Sequence, residues 1–529
     1  MTRKRFAPFT FMFAAVVGCM TALSRPAEAA AAAPERALTT AAPTTKDVLA
    51  AVRKATGSRQ LERLRGGFSI EEVETGPSAK TTVTHFGARG ELRRGPDLGF
   101  DGTLPWRVDE KRGGAVPLNL RQFEKQAWPL WIRSHWWLSA RSGIEVTLLP
   151  AESDARVVAL RLATRDRLVP ATVFIDRTTW LPERLVVPYD RGPMIVKYSD
   201  YRSALGAKLA FATEASYRET TRHTVRDVRP LAGSDAQFSL PPASSDAAFD
   251  NGVPAELPLK YGVPFGNGAS PHVYVTPEID GKASGSFLFD SGADGMMIDA
   301  ALADSLEMPV IGRTNSTGAD GTARAGTFRR GKTFRLGRLT ITNPVYLAID
   351  LSKNNAPAGE ARAGVVGYDV FARAVVEFHG VGRRVALHDP RSYRLPRGSR
   401  WQQLSFIDST PAIAARLDDG VEERFQIDTG SVASVEFYPA FVDRRKLLTG
   451  RDTTEHVSRG AGGTYTVRTG KVSSFAFGGR RFRDQEVTFR TSGLGRDGGA
   501  GVIGRELMAG FTTVFDYPSR RIAFIQPAQ

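Results

Sequence analysis

Hydrophobic and polar positions change rhythm several times along this chain. Residues 46–65 place Val48, Leu49, Val52, Leu61 and Leu64 among Lys and Arg at the spacing of one helical face. From there to about residue 240 the period drops to two in runs such as AKTTVTHF, RVVALRLA and ATVFIDRT. Gly, Asp and Pro bound these runs, which predicts antiparallel β-structure. QFEKQAWPLWIRSHWWL (122–138) interrupts that rhythm and predicts helix on either side of Pro129. SLPPASSDAAFDNGVPAELP reads as a linker, and beyond it the chain is β-rich again.

The first residues follow another pattern. Arg3, Lys4 and Arg5 precede a mostly apolar run over 6–18, which is the form of a secretory signal. The run is shorter than the roughly 18–20 residues needed to span a bilayer, and no later segment is long enough, so no transmembrane helix is expected in the mature chain. Two processing outcomes stay open. Cleavage after Ala29, at Ala27-Glu28-Ala29, would release a soluble protein into the periplasm. Alternatively Val16-Val17-Gly18-Cys19 would serve as a lipobox, leaving Cys19 as a lipid anchor in the outer membrane. Cys19 is the sole cysteine, so neither outcome leaves a disulfide or thiol chemistry.

A chain of 529 residues exceeds one core, and its rhythm suggests five parts: a signal over 1–29, a linker over 30–45, a β-domain over 46–240 and two β-units over 256–390 and 401–529. The net charge of +15 is spread along the chain in Arg-Arg pairs, with no basic block. That favours a solvated basic surface over attraction to anionic lipid or cell-wall polymer, and an exported chain does not meet nucleic acid.

The last two parts repeat each other. FLFDSGADGMMID (287–299) is echoed by FQIDTGSVASVEF (425–437), and AGVVGYDVFARAVVEF (363–378) by AGVIGRELMAGFTTVF (500–515). Asp290 lies 77 residues before Gly367, and Asp428 lies 76 before Gly504. Arg383-Arg384 and Arg520-Arg521 stand 16 and 17 residues beyond those glycines, and Pro390 and Pro527 stand 23 beyond. Four landmarks kept in register mark two copies of one unit.

Asp290-Ser291-Gly292-Ala293 with Val365-Val366-Gly367, and Asp428-Thr429-Gly430-Ser431 with Val502-Ile503-Gly504, resemble the retropepsin-like aspartic proteases of bacteria. The resemblance implies a mainly β fold: a bilobal pair of acid-protease β-barrels in which each apolar-Gly strand backs an Asp turn. It also implies an endopeptidase whose catalytic residues are Asp290 and Asp428, acting on an extended polypeptide with apolar side chains beside the scissile bond. Two carboxylates about 3 Å apart cannot both ionise, so the pair keeps one proton, and one member serves as base while the other serves as acid. Ser291 and Thr429 would lock the two loops, while Gly292 and Gly430 let the backbone turn beneath each carboxylate. The glycine-rich stretches STGADGTARAGTF (316–328) and SRGAGGTYTVRTG (458–470) read as flaps over the substrate, with Gly318, Gly321, Gly463 and Tyr465 as contacts. Both Asp residues are in one chain, so no partner subunit is needed, and no metal or cofactor is expected.

The β-domain, through FDGTLPWRVD, ATVFIDRTTWLPERLVV and KYSDYRSALGAKLAFATEASY, resembles the bacterial outer-membrane lipoprotein-carrier family over about residues 65–230. That implies an antiparallel half-barrel closed by a few helices, and a lipid or lipoprotein as partner. Six of the seven Trp residues precede residue 181, which suits an ordinary core or an apolar cavity. The rival to an enzyme is therefore a non-catalytic peptide-, lipid- or lipoprotein-binding protein of the cell envelope. Other chemistries lack their residues. GTFRRGKT (326–333) spells a phosphate loop, but β-type alternation follows its Lys where a helix is required. The seven His form no H-x-x-x-H pair, and there is no G-x-S-x-G.

Overall fold

The computed structural model describes residues 43–526, apart from 76–79, 110–113, 166–167, 190–191, 233–237, 242–245, 263–270, 318–322, 353–356, 358–359, 381–383, 419, 461–462 and 494. The signal, Cys19 and most of the expected first linker lie outside the described residues.

The chain enters through helix Thr45–Thr56, where Thr44 and Asp47 cap each other's amides. Gly57, at φ 65°, ends it, and helix Ser58–Glu62 follows. The single helix expected over 46–65 is thus two. Six strands then meander from Phe68–Thr75 to the edge strand Gly114–Pro117, and seven more run from the opposite edge, Glu145–Leu148, back to Thr220–Pro230. The two meanders join where Phe68–Thr75 pairs antiparallel with Thr220–Pro230, which makes one open 13-stranded sheet.

Helix Leu120–Arg133 carries the chain between the two edges of that sheet. It runs through Pro129 without a break, contrary to the expected division. The packing of Phe123, Trp128, Leu130, Trp131 and Ile132 against the sheet outweighs the backbone hydrogen bond that proline cannot make.

The second half is two lobes built alike. In the first, strands run in the order 260–261, 273–275, 286–289, 362–366, 297–299, 345–349, 323–330, 310–317. The order in the second is 405–407, 410–417, 421–427, 501–503, 435–437, 480–490, 463–477, 453–460, which matches strand for strand. The residues that spell a phosphate loop fall in strands Ala323–Arg330 and Thr333–Leu336, with no helix after Lys332.

Part of the second expected linker is structured. Ala247–Phe249 pairs with Leu339–Thr342, and Asp246 takes a two-pronged bond from Arg373, at 2.8 Å on each oxygen. The lobes share a six-stranded sheet in which Val375–His379 of the first lies antiparallel to Thr512–Asp516 of the second. They also share a core: Phe287, Phe289 and Phe371 belong to the same buried cluster as Phe425, Phe437 and Phe475, and Leu104 and Val116 join it from the N-terminal sheet. Burying a Phe side chain is worth about 1.5–3 kcal/mol, so this continuous cluster ties all three parts together.

Candidate active site

Each repeat brings its Asp to the same place by the same route. Strand Ser286–Phe289 runs parallel to Arg362–Val366, and the Asp290 amide donates to the Val366 carbonyl at 3.0 Å. Strand Val421–Ile427 runs parallel to Gly501–Ile503, and the Asp428 amide donates to Ile503 at 3.0 Å. Phe287, Phe289, Phe425 and Ile427 point into the core, which leaves both carboxylates on the opposite face.

The structure brings Asp290 and Asp428 together. A hydrogen bond joins the carboxyls, and both residues are half-buried. Gly292 donates to Asp290 Oδ1 at 2.8 Å, and Gly430 to Asp428 Oδ1 at 2.7 Å. A β-carbon added to Gly292 would stand 2.5 Å from Asp428 Cγ, and one added to Gly430 would stand 2.4 Å from Asp290 Cγ. Each glycine therefore makes room for the opposite carboxylate. Burial, the Asp428 charge and the shared hydrogen bond hold the Asp290 carboxyl well above the usual carboxylate range, against the Gly292 N–H and Arg362.

Ser291 and Thr429, both fully buried, form a reciprocal lock beneath the pair. The Ser291 amide donates to Thr429 Oγ1 (2.9 Å) and the Thr429 amide to Ser291 Oγ (3.0 Å). Their hydroxyls donate across the junction, Ser291 to the Ile427 carbonyl and Thr429 to that of Phe289, at 2.9 Å each. These four bonds close without water, so the relative position of the turns is set by the protein itself.

An outer ring of contacts was not foreseen. Thr410 Oγ1 donates to the Gly292 carbonyl at 3.1 Å, and His272 donates to the Gly430 carbonyl. Each of these residues stands 18 positions before the Asp of its own lobe and reaches into the other lobe, a symmetry of position that their unlike residue types conceal. Burial and the nearby Arg362 and Arg505 push the His272 imidazole down to about 4, so it is neutral at ordinary pH. Arg496 also reaches Gly292, with Nη2 3.4 Å from its carbonyl and Nη1 2.9 Å from Asp294 and 3.0 Å from Asp408. From below, the Tyr517 hydroxyl approaches the Ser291 carbonyl at 3.4 Å.

The expected flap stretches form hairpins, Val310–Thr317 with Ala323–Arg330 and Thr453–Gly460 with Gly463–Phe477. Gly318 and Gly321 lie outside the described residues, and Gly463 opens its strand opposite Gly460. Tyr465, the expected substrate contact, is 8% exposed and lies on the face of the sheet opposite the lobe's Phe425–Phe437 core. Its hydroxyl donates to Glu436 at 3.2 Å, and its ring lies under the Arg490 guanidinium at 3.9 Å. A buried carboxylate and a buried cation hold it there.

Residues 275–370 and 413–507 each match the aspartyl protease family. The model of the retropepsin-like aspartyl protease family thus matches twice in tandem, once in each lobe. A LolA superfamily protein from Nitrosomonas europaea, of known structure, aligns with 37% of this chain and 98% of its own length at 12% identity, with a TM-score of 0.25. No curated protein matches the sequence.

Proposed function

We propose that this chain is an aspartic endopeptidase in which Asp290 and Asp428 together activate a water for attack on a peptide bond. The observation that carries the reading is the pairing of the two carboxyls over the Ser291–Thr429 lock. A proton kept on the pair by burial and like charge leaves one oxygen free to take a proton from water, and the other carboxyl protonates the carbonyl oxygen of the substrate. The proton belongs to the pair and not to either residue. The neutral N–H donors of Gly292 and Gly430 keep each carboxylate oriented without themselves titrating. The substrate is a polypeptide laid between the lobes beneath the two hairpins, and a pair that must retain one proton works best in mild acid. The basic N-terminus with its apolar run supports export, to the periplasm or to an outer-membrane anchor at Cys19.

A lipid role for the N-terminal domain has less support. The apolar face of the sheet is covered by helix Leu120–Arg133, whose Trp128 and Trp131 are packed into the core. No helix among the described residues is long and apolar enough to cross a membrane.

The test is cleavage of a diverse peptide library by the full chain from pH 4 to 7.5, beside Asp290→Asn and Asp428→Asn. Both variants should lose at least about a thousandfold in kcat, because removing either half of a concerted pair removes the function of both. A variant that retains wild-type turnover with its fold intact would refute the pairing and favour a peptide-binding protein.

A further inference from the structure

The N-terminal domain touches the lobes at points that lead to the Asp290 turn. Asn119, at the start of helix Leu120–Arg133, donates through Nδ2 to Asp408 Oδ1 at 2.7 Å. Asp408 sits in a tight turn of the second lobe at φ 56°, and its other oxygen accepts from Arg496 Nη1 at 3.0 Å. The same guanidinium binds Asp294 and the Gly292 carbonyl of the first lobe. The next residue of that loop, Asp497, is gripped by Arg121 of the same helix through Nε at 2.6 Å and Nη2 at 3.0 Å. One arginine therefore links three parts of the molecule: the N-terminal helix through Asp408, the loop of the second lobe on which it stands, and the Asp290 turn.

The geometry is that of a brace. Arg496 presents a rigid planar fork, and its acceptors fix it from two sides, so its approach to Gly292 is set by where Asp408 and Asp294 stand. Asp408 is in turn held by Asn119. Gly292 places its amide on Asp290 and its α-carbon under Asp428, so a shift of its carbonyl moves both carboxyls relative to each other.

We propose that Asn119, Asp408 and Arg496 are positioning residues, through which the N-terminal domain holds the Asp290 turn in its working geometry. This rests on the aspartic-peptidase reading for its kinetic consequence, and on contact geometry alone for its structural one. The N-terminal domain is then a working part of the peptidase and not a separately acting module. Misplacing a reacting group by a fraction of an ångström costs turnover more than binding, which separates a brace from a general loss of stability.

Asn119→Asp is the informative change. Aspartate keeps the helix cap, now made by Asn119 Oδ1 accepting from the Gln122 amide at 3.1 Å, but replaces the donor facing Asp408 with a second carboxylate. In the full chain, kcat should fall about tenfold with KM within about twofold. Adding Asp408→Asn restores a donor–acceptor pair across the contact and should recover most of that loss, whereas independent damage would add. Arg496→Lys, which cannot fork, should resemble Asn119→Asp. Deuterium uptake over residues 287–296, followed by mass spectrometry, should rise in Asn119→Asp and fall back in the double variant, with or without a cleavable substrate. Unchanged kcat in Asn119→Asp and Arg496→Lys, a loss that the second change deepens, or uptake unmoved in all variants would overturn the brace. Wild-type protein that cleaves no peptide would overturn the peptidase reading, and the uptake series would still decide the brace.

Discussion

The two lobes share their strand order and their Asp turns, yet the ground beside the turns differs. In the first lobe Leu288 shares a face with Asp290, and Val365 and Met297 extend it across paired strands. With Tyr274 and Ala293 they form a small apolar cluster of their own. In the second lobe the corresponding strand positions hold Gln426, Val502 and Glu436. Glu436 pairs with Arg490 at 2.8 Å and takes the Tyr465 hydroxyl, and Tyr438 donates to Gln426. After the backing glycine the lobes diverge again. Tyr368 packs on Phe406 and Tyr517, while Arg505, 5% exposed, reaches the Pro271 carbonyl of the first lobe. Atoms that meet the carboxyls are kept alike in both copies. One strand away, the second lobe holds buried charge where the first holds hydrocarbon, an exchange that rarely benefits stability.

Three experiments bear on that contrast. The largest effect belongs to what the lobes share. Gly292→Ala and Gly430→Ala each drive a methyl into the opposite carboxyl, so both should lose at least about a thousandfold in kcat. A variant that keeps activity would show that its turn has slack the other lacks. The next effect belongs to what differs. Glu436→Ala strands the Arg490 charge and should cost about 3–5 kcal/mol in urea titration. Met297→Ala, a half-buried thioether at the matching position, should cost about 2 kcal/mol or less. Equal losses would erase the distinction.

The smallest effect is a slope with pH. The Asp290 carboxyl is raised in the fold, so above its ordinary value of 3.8 the native chain binds more proton than the unfolded chain, and stability falls as pH rises. Asp290→Asn lacks that penalty, and its stability relative to wild type should climb from about pH 4 upward in thermal melts. His272 acts oppositely. Its folded value of about 4 lies below the ordinary 6.5, so its contribution is complete above 6.5 and is lost as pH falls toward 4. A flat difference between Asp290→Asn and wild type would mean that the pair is better solvated than its burial implies.

The two turns were legible in the sequence because their chemistry is local: Asp, hydroxyl residue and Gly are contiguous, and the backing strand repeats at nearly constant distance. Ser291 and Thr429 could be assigned to the lock for the same reason. The outer ring was not legible. Thr410 and His272 occupy one repeat position with unlike residues, so matching by residue type passes over them. Asn119 and Asp408 stand 289 positions apart, and no local pattern marks either. The partners of Tyr465 were not legible either, because a tyrosine in a glycine-rich hairpin gives no sign of the buried Glu436–Arg490 pair that holds it. Pro129 and the strand Ala247–Phe249 show tertiary packing overriding local signals that normally end a helix or mark a linker.

The shared sheet has a consequence in time. Val375–His379, from the first lobe, has Arg384–His388 on one side, but its other side is filled by Thr512–Asp516, which in turn pairs with Arg521–Ile525. Synthesis must therefore pass from residue 379 to residue 512 before that second edge is filled. The sheet that joins the lobes closes only then, so the junction that sets the two Asp turns against each other forms after both lobes have been synthesised.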